Sequence, residues 1–211
     1  MSHFKLNLED IFVIDKENKK KIYDIQRCEA FILERGIAIY GHHFMMSFHQ
    51  RQTFFKLIIY AIGDSVNMEK HDLDGNKGLL LMGERQSGKT AYMRLIQYFF
   101  SRRRTYDIKS SRLLAQEFSC KGYEAFTPLF APNAKAICLD NIGTEQQAKF
   151  YGSTCDVVYN TLEHFYEQRF DLTYPRLHFT TCLSASELEK KYGTGFRQML
   201  KEMVNVIVCE Q

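Results

Sequence analysis

One stretch constrains this chain more than any other: KGLLLMGERQSGKT, from Lys77 to Thr90. The apolar run Leu79 to Met82 reads as a buried strand that leads into Gly83. Four variable residues, Glu84, Arg85, Gln86 and Ser87, then separate Gly83 from Gly88, Lys89 and Thr90. This is G-x-x-x-x-G-K-T between a strand and a helix, the setting in which the pattern holds phosphate. Glycine lets the backbone turn tightly enough for successive N–H groups to face an anion. Lys89 is placed to reach β- and γ-phosphates, and the Thr90 hydroxyl to sit on Mg²⁺. The helix that opens around Ala91 adds its positive N-terminal end. Gly83 to Ala91 is therefore read as a site for ATP or ADP with Mg²⁺.

A chain of 211 residues, 45% hydrophobic and 25% charged, has room for one α/β domain and a smaller extension. No apolar run approaches the roughly eighteen residues of a membrane span. The opening MSHFKLNLED lacks the charged-then-apolar pattern of a signal peptide. Cys28, Cys120, Cys138, Cys155, Cys182 and Cys209 form no C-x-x-C pair and read as reduced thiols. Together these point to a cytoplasmic protein without a membrane partner. A net charge of +3 does not by itself argue for nucleic acid. Locally, Arg102, Arg103, Arg104, Lys109 and Arg112 face a single acid, Asp107. They either complement the dipole at a helix C-terminus or offer contacts to the phosphates of single-stranded DNA.

Along the chain, FKLNLEDIFVI alternates partly like a strand, and KENKKK reads as a solvated run or turn. Residues 1–40 are taken as a short extension and 41–211 as the nucleotide-binding domain, with Ile37 to Tyr40 a candidate contact for the base. From Phe44 to Ile62 apolar residues recur at helical spacing, and Gly63 is a C-terminal stop. His42, His43 and His49 lack ligands at matching offsets and read as surface or packed side chains. After the phosphate loop a helix carries Ala91, Leu95 and Phe99 on one face and should end near Arg104. Tyr106 to Lys109 reads as a brief strand and Ser111 to Phe118 as a helix. Residues 119–133 read as a loop with Tyr123, Phe126 and Phe130 tucked beneath it, the alternative being a stacking platform for bases.

Ala134 to Leu139 is a continuous apolar run that stops at Asp140. A strand ending in an acid, downstream of a phosphate loop, places a carboxylate opposite Thr90 to complete the Mg²⁺ site. Ser153 with Asp156, and Ser184 with Glu187, resemble capping boxes. RLHFTTC, from Arg176, and Val204 to Cys209 close the set of strands. Strands alternating with helices imply right-handed crossovers and a three-layer α/β fold, here around five strands in a mostly parallel sheet.

From about Lys77 to Val208 the sequence resembles the DnaC/IstB-type ATPases, a branch of the AAA+ proteins. GERQSGKT at 83–90, ICLDNIGTE at 137–145, HFTTCLSASELEKKYGTGF at 178–196 and LKEMVNVI at 200–207 carry the resemblance. It implies an AAA+-like P-loop core and work on DNA, in replication as a helicase loader or in transposition. The implied protein partner is a replicative helicase or a transposase, gripped by residues 1–40.

Three departures accompany the likeness. Where the resemblance implies a second acid after Asp140 stands Asn141, and an amide takes no proton. Glu145 is the candidate replacement base. Where an Asn sensor is implied stands Cys182, leaving Thr181 as the polar contact. Where an implied basic pair includes an arginine finger stand Gly195 and Met199, with Arg197 between them and Arg169 as another candidate. Such a finger is worth about 10³–10⁵ in rate where it operates. The chain is thus expected to bind ATP and to hydrolyse it slowly or not at all. The alternatives are a competent DNA-stimulated ATPase using Asp140, Glu145 and Arg197, or a P-loop small-molecule kinase.

Overall fold

A computed structural model describes residues 6–17 and 20–210 of the chain. In chain order, a 3-10 turn at Leu8–Ile11 leads to β1 (Phe12–Ile14) and β2 (Lys21–Tyr23), then α1 (Ile25–Tyr40), α2 (Phe48–Ile62) and α3 (Ser65–Lys70). The phosphate-loop strand β3 (Gly78–Met82) precedes α4 (Lys89–Ile96), β4 (Tyr106–Ser110), α5 (Ser111–Lys121) and α6 (Thr127–Phe130). There follow β5 (Ala136–Ile142), a hairpin of β6 (Ala148–Phe150) and β7 (Ser153–Cys155), and α7 (Val157–Glu167). The chain closes with β8 (Leu177–Thr181), α8 (Ala185–Tyr192), α9 (Thr194–Met203) and β9 (Val204–Val208).

The central sheet has the order β4-β5-β8-β3-β9, with every pairing parallel. Parallel strands need long crossovers, and the helices that supply them cover both faces. This explains why β8 is buried along its whole length and β3 nearly so. Alternation along the strands divides the interior into two layers. Leu79, Leu81 and Cys138 join a cluster with α1, α2 and α4. Leu80, Ile137 and Leu139 join another with α5, α7 and α9. The result is the three-layer α/β arrangement of a P-loop, AAA+-like core. In open parallel sheets ligands sit beyond the carboxyl ends of the strands. Gly83, Asp140 and Cys182 all fall at that edge.

Several local expectations are corrected. The helix after the phosphate loop ends at Ile96, followed by a 3-10 turn at Gln97–Phe99. This break lets Phe99 and Phe100 turn inward. Arg104 can then donate to the Tyr60 and Ala61 carbonyls at the end of α2, with its guanidinium over the Tyr60 and Phe100 rings. Ser153 opens a strand rather than a helix. Asp156 is the N-cap of α7, and its side chain accepts from Tyr159 N at 3.0 Å. The stretch 119–133 is largely helical, comprising the end of α5, a 3-10 turn at Gly122–Phe126 and α6. Phe126 is buried there and stacks on Phe130, while Tyr123 stays exposed beside Phe118.

The longest departure is α1, weakly periodic as sequence. Asp24 caps it by accepting from Arg27 N, and Cys28, Phe31 and Ile32 are buried in the layer shared with α2 and α4. Gly36 sits inside this helix because the Phe44 ring lies where a side chain would be; a Cβ there would meet it at 2.1 Å. From the N-terminal segments, Phe4, Lys5, Asn18 and Lys19 lie outside the described residues. The expected Ser184–Glu187 capping box and the Gly63 stop are present, Gly63 in the left-handed conformation. Among the described residues no helix is long and apolar enough to cross a membrane.

Candidate nucleotide-binding site

The loop between β3 and α4 is shaped by its neighbours. The end of the edge strand binds back to it, with Cys209 N donating to Met82 O at 2.7 Å. Position 83 must be glycine on that account, since a Cβ would meet the Cys209 carbonyl oxygen at 2.4 Å. Gln86 at φ 67° and Gly88 at φ 83° both adopt left-handed backbone. For Gln86 that conformation costs on the order of 1 kcal/mol, strain of a kind that collects at functional sites. Such turns create concave rows of N–H groups suited to anions.

Lys89 folds over this loop. Its Nζ donates to Gly83 O at 2.8 Å, to Ser87 Oγ at 3.1 Å and to the Glu84 carbonyl. The residue is 5% exposed. Burial pushes its pKa below the usual lysine value, while Cys209, Cys182 and Asp140 oppose the shift. Its partners are neutral carbonyl and hydroxyl oxygens, and among the described residues no carboxylate pairs with it.

Beside it lies a cluster of hydroxyls around one carboxylate. Thr90 Oγ1 donates to Asp140, its distances to the two oxygens being 2.8 and 3.0 Å. Thr180 Oγ1 donates to Asp140 Oδ1 at 2.6 Å and accepts from Asn141 N at 2.9 Å. Asn141 Nδ2 donates to Asp140 Oδ2 at 3.1 Å. A register shift between Leu139 and Ile142 interrupts the β5–β8 ladder here, and Asn141 takes φ 58°. At this irregularity Asp140 meets Thr90 of α4, and bulges commonly re-aim side chains beside sites. Ser111 Oγ and Thr144 Oγ1 both donate to the Asn141 carbonyl, at 3.0 and 2.7 Å. One carboxylate with a threonine hydroxyl suits Mg²⁺, which draws its remaining ligands from phosphates and water. Among the described residues no group of three His, Cys, Asp or Glu side chains is arranged to hold a metal by itself.

A cavity of about 580 Å³ opens over Lys89 and Thr90, within the range of small-ligand sites. Tyr40 lines it, stacked on Phe44 with ring centroids 5.7 Å apart. Arg112, Asn141 and Thr144 line it as well, Arg112 and Thr144 also bordering a neighbouring cavity along α5. Arg85, Gln86, Gly88 and Ala91 also reach the cavity; Gly83, Glu84 and Ser87 shape the loop behind it.

The other candidate residues lie elsewhere. Glu145 is 5% exposed and does not line the cavity. Its carboxylate accepts from Gly143 N at 2.9 Å and from the Tyr192 hydroxyl, and it pairs with Lys191 at 3.3 Å. Burial, and then this carboxylate, raise the Tyr192 pKa well above its usual value. Glu145 thus ties the segment after β5 to α8. Arg197 pairs with Glu189 of α8, and Arg169 stacks on Tyr166 and Phe170. Thr181 Oγ1 donates to Ile142 O at 2.8 Å and accepts from Leu183 N at 3.1 Å, bracing the end of β8.

The basic residues do not form one patch. Arg102 and Arg103 are exposed before β4, Arg104 is turned onto α2, and Lys109 pairs with Glu117. Arg112 lies beyond the far end of β4, at the cavity. Sequence reasoning missed Thr180 in favour of Thr181. Two adjacent threonines point to opposite faces of a strand, and only the register says which meets Asp140.

A parallel three-layer sheet with this loop, and a carboxylate facing the loop's threonine, defines the class of P-loop NTPase folds with an AAA+-like core. Among solved structures, a chain described as the crystal structure of the DnaC helicase loader is similar over 80% of this chain and 95% of that one, with TM-score 0.55 and 16% identity. At that identity the likeness speaks for the fold. No family model matches the sequence, and no curated protein matches it at a significant level.

Proposed function

We propose that this chain binds ATP with Mg²⁺ and uses the nucleotide as a conformational ligand while assisting a partner on DNA, in the manner of DnaC/IstB-type proteins. One observation carries the reading: a buried lysine without a carboxylate partner, set in an anion-binding loop beside the Thr90–Asp140–Thr180 cluster. A buried ammonium is unfavourable unless an anion completes its surroundings. Phosphate oxygens meet that need, and Thr90 with Asp140 would hold the metal.

Slow hydrolysis is supported by the position and bonding of two side chains. Asn141 stands next to Asp140 at the cavity and cannot take a proton from water. The carboxylate of Glu145 is already engaged on both oxygens away from the cavity. We assign the N-terminal 40 residues to a protein partner, a replicative helicase or a transposase, because the hairpin exposes Val13 and Ile22, paired on one face, and Ile14 on the other. For single-stranded DNA, Arg102 and Arg103 remain the accessible cations of the basic segment.

Equilibrium binding of fluorescent ATP and ADP analogues, with and without Mg²⁺, tests the reading. Binding should be saturable and should weaken about 10- to 100-fold in Lys89→Ala, the loss of a charge-assisted contact to phosphate. Equal binding by the wild type and Lys89→Ala would remove the proposal.

A further inference from the structure

Among the described residues the cavity is lined by four cations, Arg85, Lys89, Arg94 and Arg112, and by no carboxylate, Asp140 being bonded to Thr90 without lining it. Lys89 belongs to the phosphate loop, and Arg85 sits within it. Arg112 enters from a different element, the first turn of α5 beyond the end of β4. Its placement is defined by bonds on both sides. Ser111 Oγ donates to the Asn141 carbonyl at 3.0 Å, pinning the start of α5 to the irregular end of β5. Arg112 Nε donates to Thr144 O at 3.2 Å, and Thr144 itself bonds Asn141 O. Register places Ser110 directly beside Asp140. The arginine is therefore held next to the segment that carries the metal-site carboxylate, two strands away from β3.

The cavity also has a direction. Tyr40 is stacked on Phe44, which shares a second, smaller cavity with Gly88 and Ala91, so Tyr40 belongs to the side of the site at the start of α4. Thr144 and Arg112 are shared with a neighbouring cavity along α5, and with Asn141 they follow β4 and β5, across β8 from β3 in the sheet. A nucleotide with its base on the Tyr40 side and its phosphates at Lys89 and Thr90 would have its last phosphate on the side of Asn141 and Arg112. Among the described residues the Arg112 side chain is bonded through Nε alone, and no carboxylate pairs with it. The outer edge of the guanidinium remains for a ligand, and its planar fork matches phosphate oxygens.

We infer that Arg112 is the residue that distinguishes a nucleoside triphosphate from a diphosphate, supplying from within the same chain a cation at the γ-phosphate. The inference rests on the proposed nucleotide site and adds to it the group that reads the nucleotide state. Because Arg112 is joined through Thr144 to Asn141, the reading would be passed to α5 and to the segment after β5.

The test is the ratio of dissociation constants for ADP and a non-hydrolysable ATP analogue, both with Mg²⁺, measured on the full chain. Arg112→Ala should lower the preference for the triphosphate about 10- to 100-fold, the size of one or two charge-assisted hydrogen bonds, and leave ADP affinity unchanged. Arg112→Lys should restore part of the preference, since it keeps the charge and loses the fork. Lys121→Ala, an exposed cation in the last turn of α5, should match the wild type. An unchanged ratio in Arg112→Ala, or an equal loss for both nucleotides, overturns the inference while leaving the nucleotide site standing. A wild type that binds neither nucleotide overturns both. Retained ADP binding by the variant shows that it is folded.

Discussion

Replacing Thr180 by valine removes one hydroxyl from a fully buried position and leaves the shape of the side chain nearly intact. The structure says what that hydroxyl does. It accepts from Asn141 N at 2.9 Å and donates to Asp140 at 2.6 Å, so its loss orphans a backbone donor and takes one of three donors from a buried carboxylate. A buried unsatisfied group costs about 1–3 kcal/mol, and a hydrogen bond to a charged group is worth about 1.5–3 kcal/mol. The two effects share one atom, so about 2–4 kcal/mol is the expected loss, large against a total stability of about 5–15 kcal/mol. Urea unfolding followed by circular dichroism reads it as a shift in midpoint. Thr181→Val is the companion, since that hydroxyl bonds only to Ile142 O and Leu183 N. It should also destabilise, by about 1–3 kcal/mol, yet leave the Mg²⁺ dependence of nucleotide binding unchanged. Thr180→Val should weaken that dependence as well. Refutation would be a Thr180→Val protein within about 0.5 kcal/mol of wild type, the range of inert substitutions, or a Mg²⁺ defect confined to Thr181→Val.

Other outcomes follow from single contacts. Burial pushes the His178 imidazole down to about 3, so it is neutral in the native protein, where Nδ1 accepts from Leu79 N at 3.1 Å. Above an unfolded pKa near 6.5 neither state is protonated there. As pH falls from 6.5 toward 3 only the unfolded chain gains the proton, so stability should decline by up to about 1.4 kcal/mol per pH unit from this group. His178→Asn, which keeps an acceptor, should remove that component of the slope in denaturation curves taken from pH 7 to pH 4; an unaltered slope would refute the assignment. Gly36→Ala should destabilise by about 1–3 kcal/mol, because the new Cβ would overlap the Phe44 ring, and thermal unfolding measures it. Glu145→Gln should lower stability by about 1–3 kcal/mol through its ties to Gly143, Tyr192 and Lys191, with nucleotide affinity unchanged in a binding titration.

What the sequence disclosed and what it concealed divide along physical lines. The phosphate loop, Asp140, the Gly63 stop and the Ser184 cap are local signals, where residue type at fixed spacing dictates backbone conformation. Strands β3 and β5 were legible because a parallel sheet covered on both faces demands continuous apolar runs, whereas β4, YDIKS at the sheet edge, carries only a weak signal. Thr180 was not legible, since neighbouring threonines are told apart only by the register between β5 and β8. Glu145 lies at a fitting distance in sequence from Asp140, but the turn through Gly143, at φ 93°, carries its carboxylate to α8 instead. Arg112 reads as part of a basic run. The intervening strand β4, about 16 Å long at the usual rise, separates it from Arg102 and Arg103 and brings it to the cavity. Helix α1 was obscured by Gly36, which looks like a breaker and serves as a notch for Phe44.

The most direct test of the central claim follows the chemical state of bound nucleotide. The full chain is incubated with substoichiometric ATP labelled in the γ-phosphate and Mg²⁺, and the label retained on the protein is separated and identified over time. The account predicts label retained as intact ATP through many binding lifetimes, and retention lost in Lys89→Ala. No retention by the wild type, or rapid recovery of the label as free phosphate that Glu145→Gln abolishes, would contradict it.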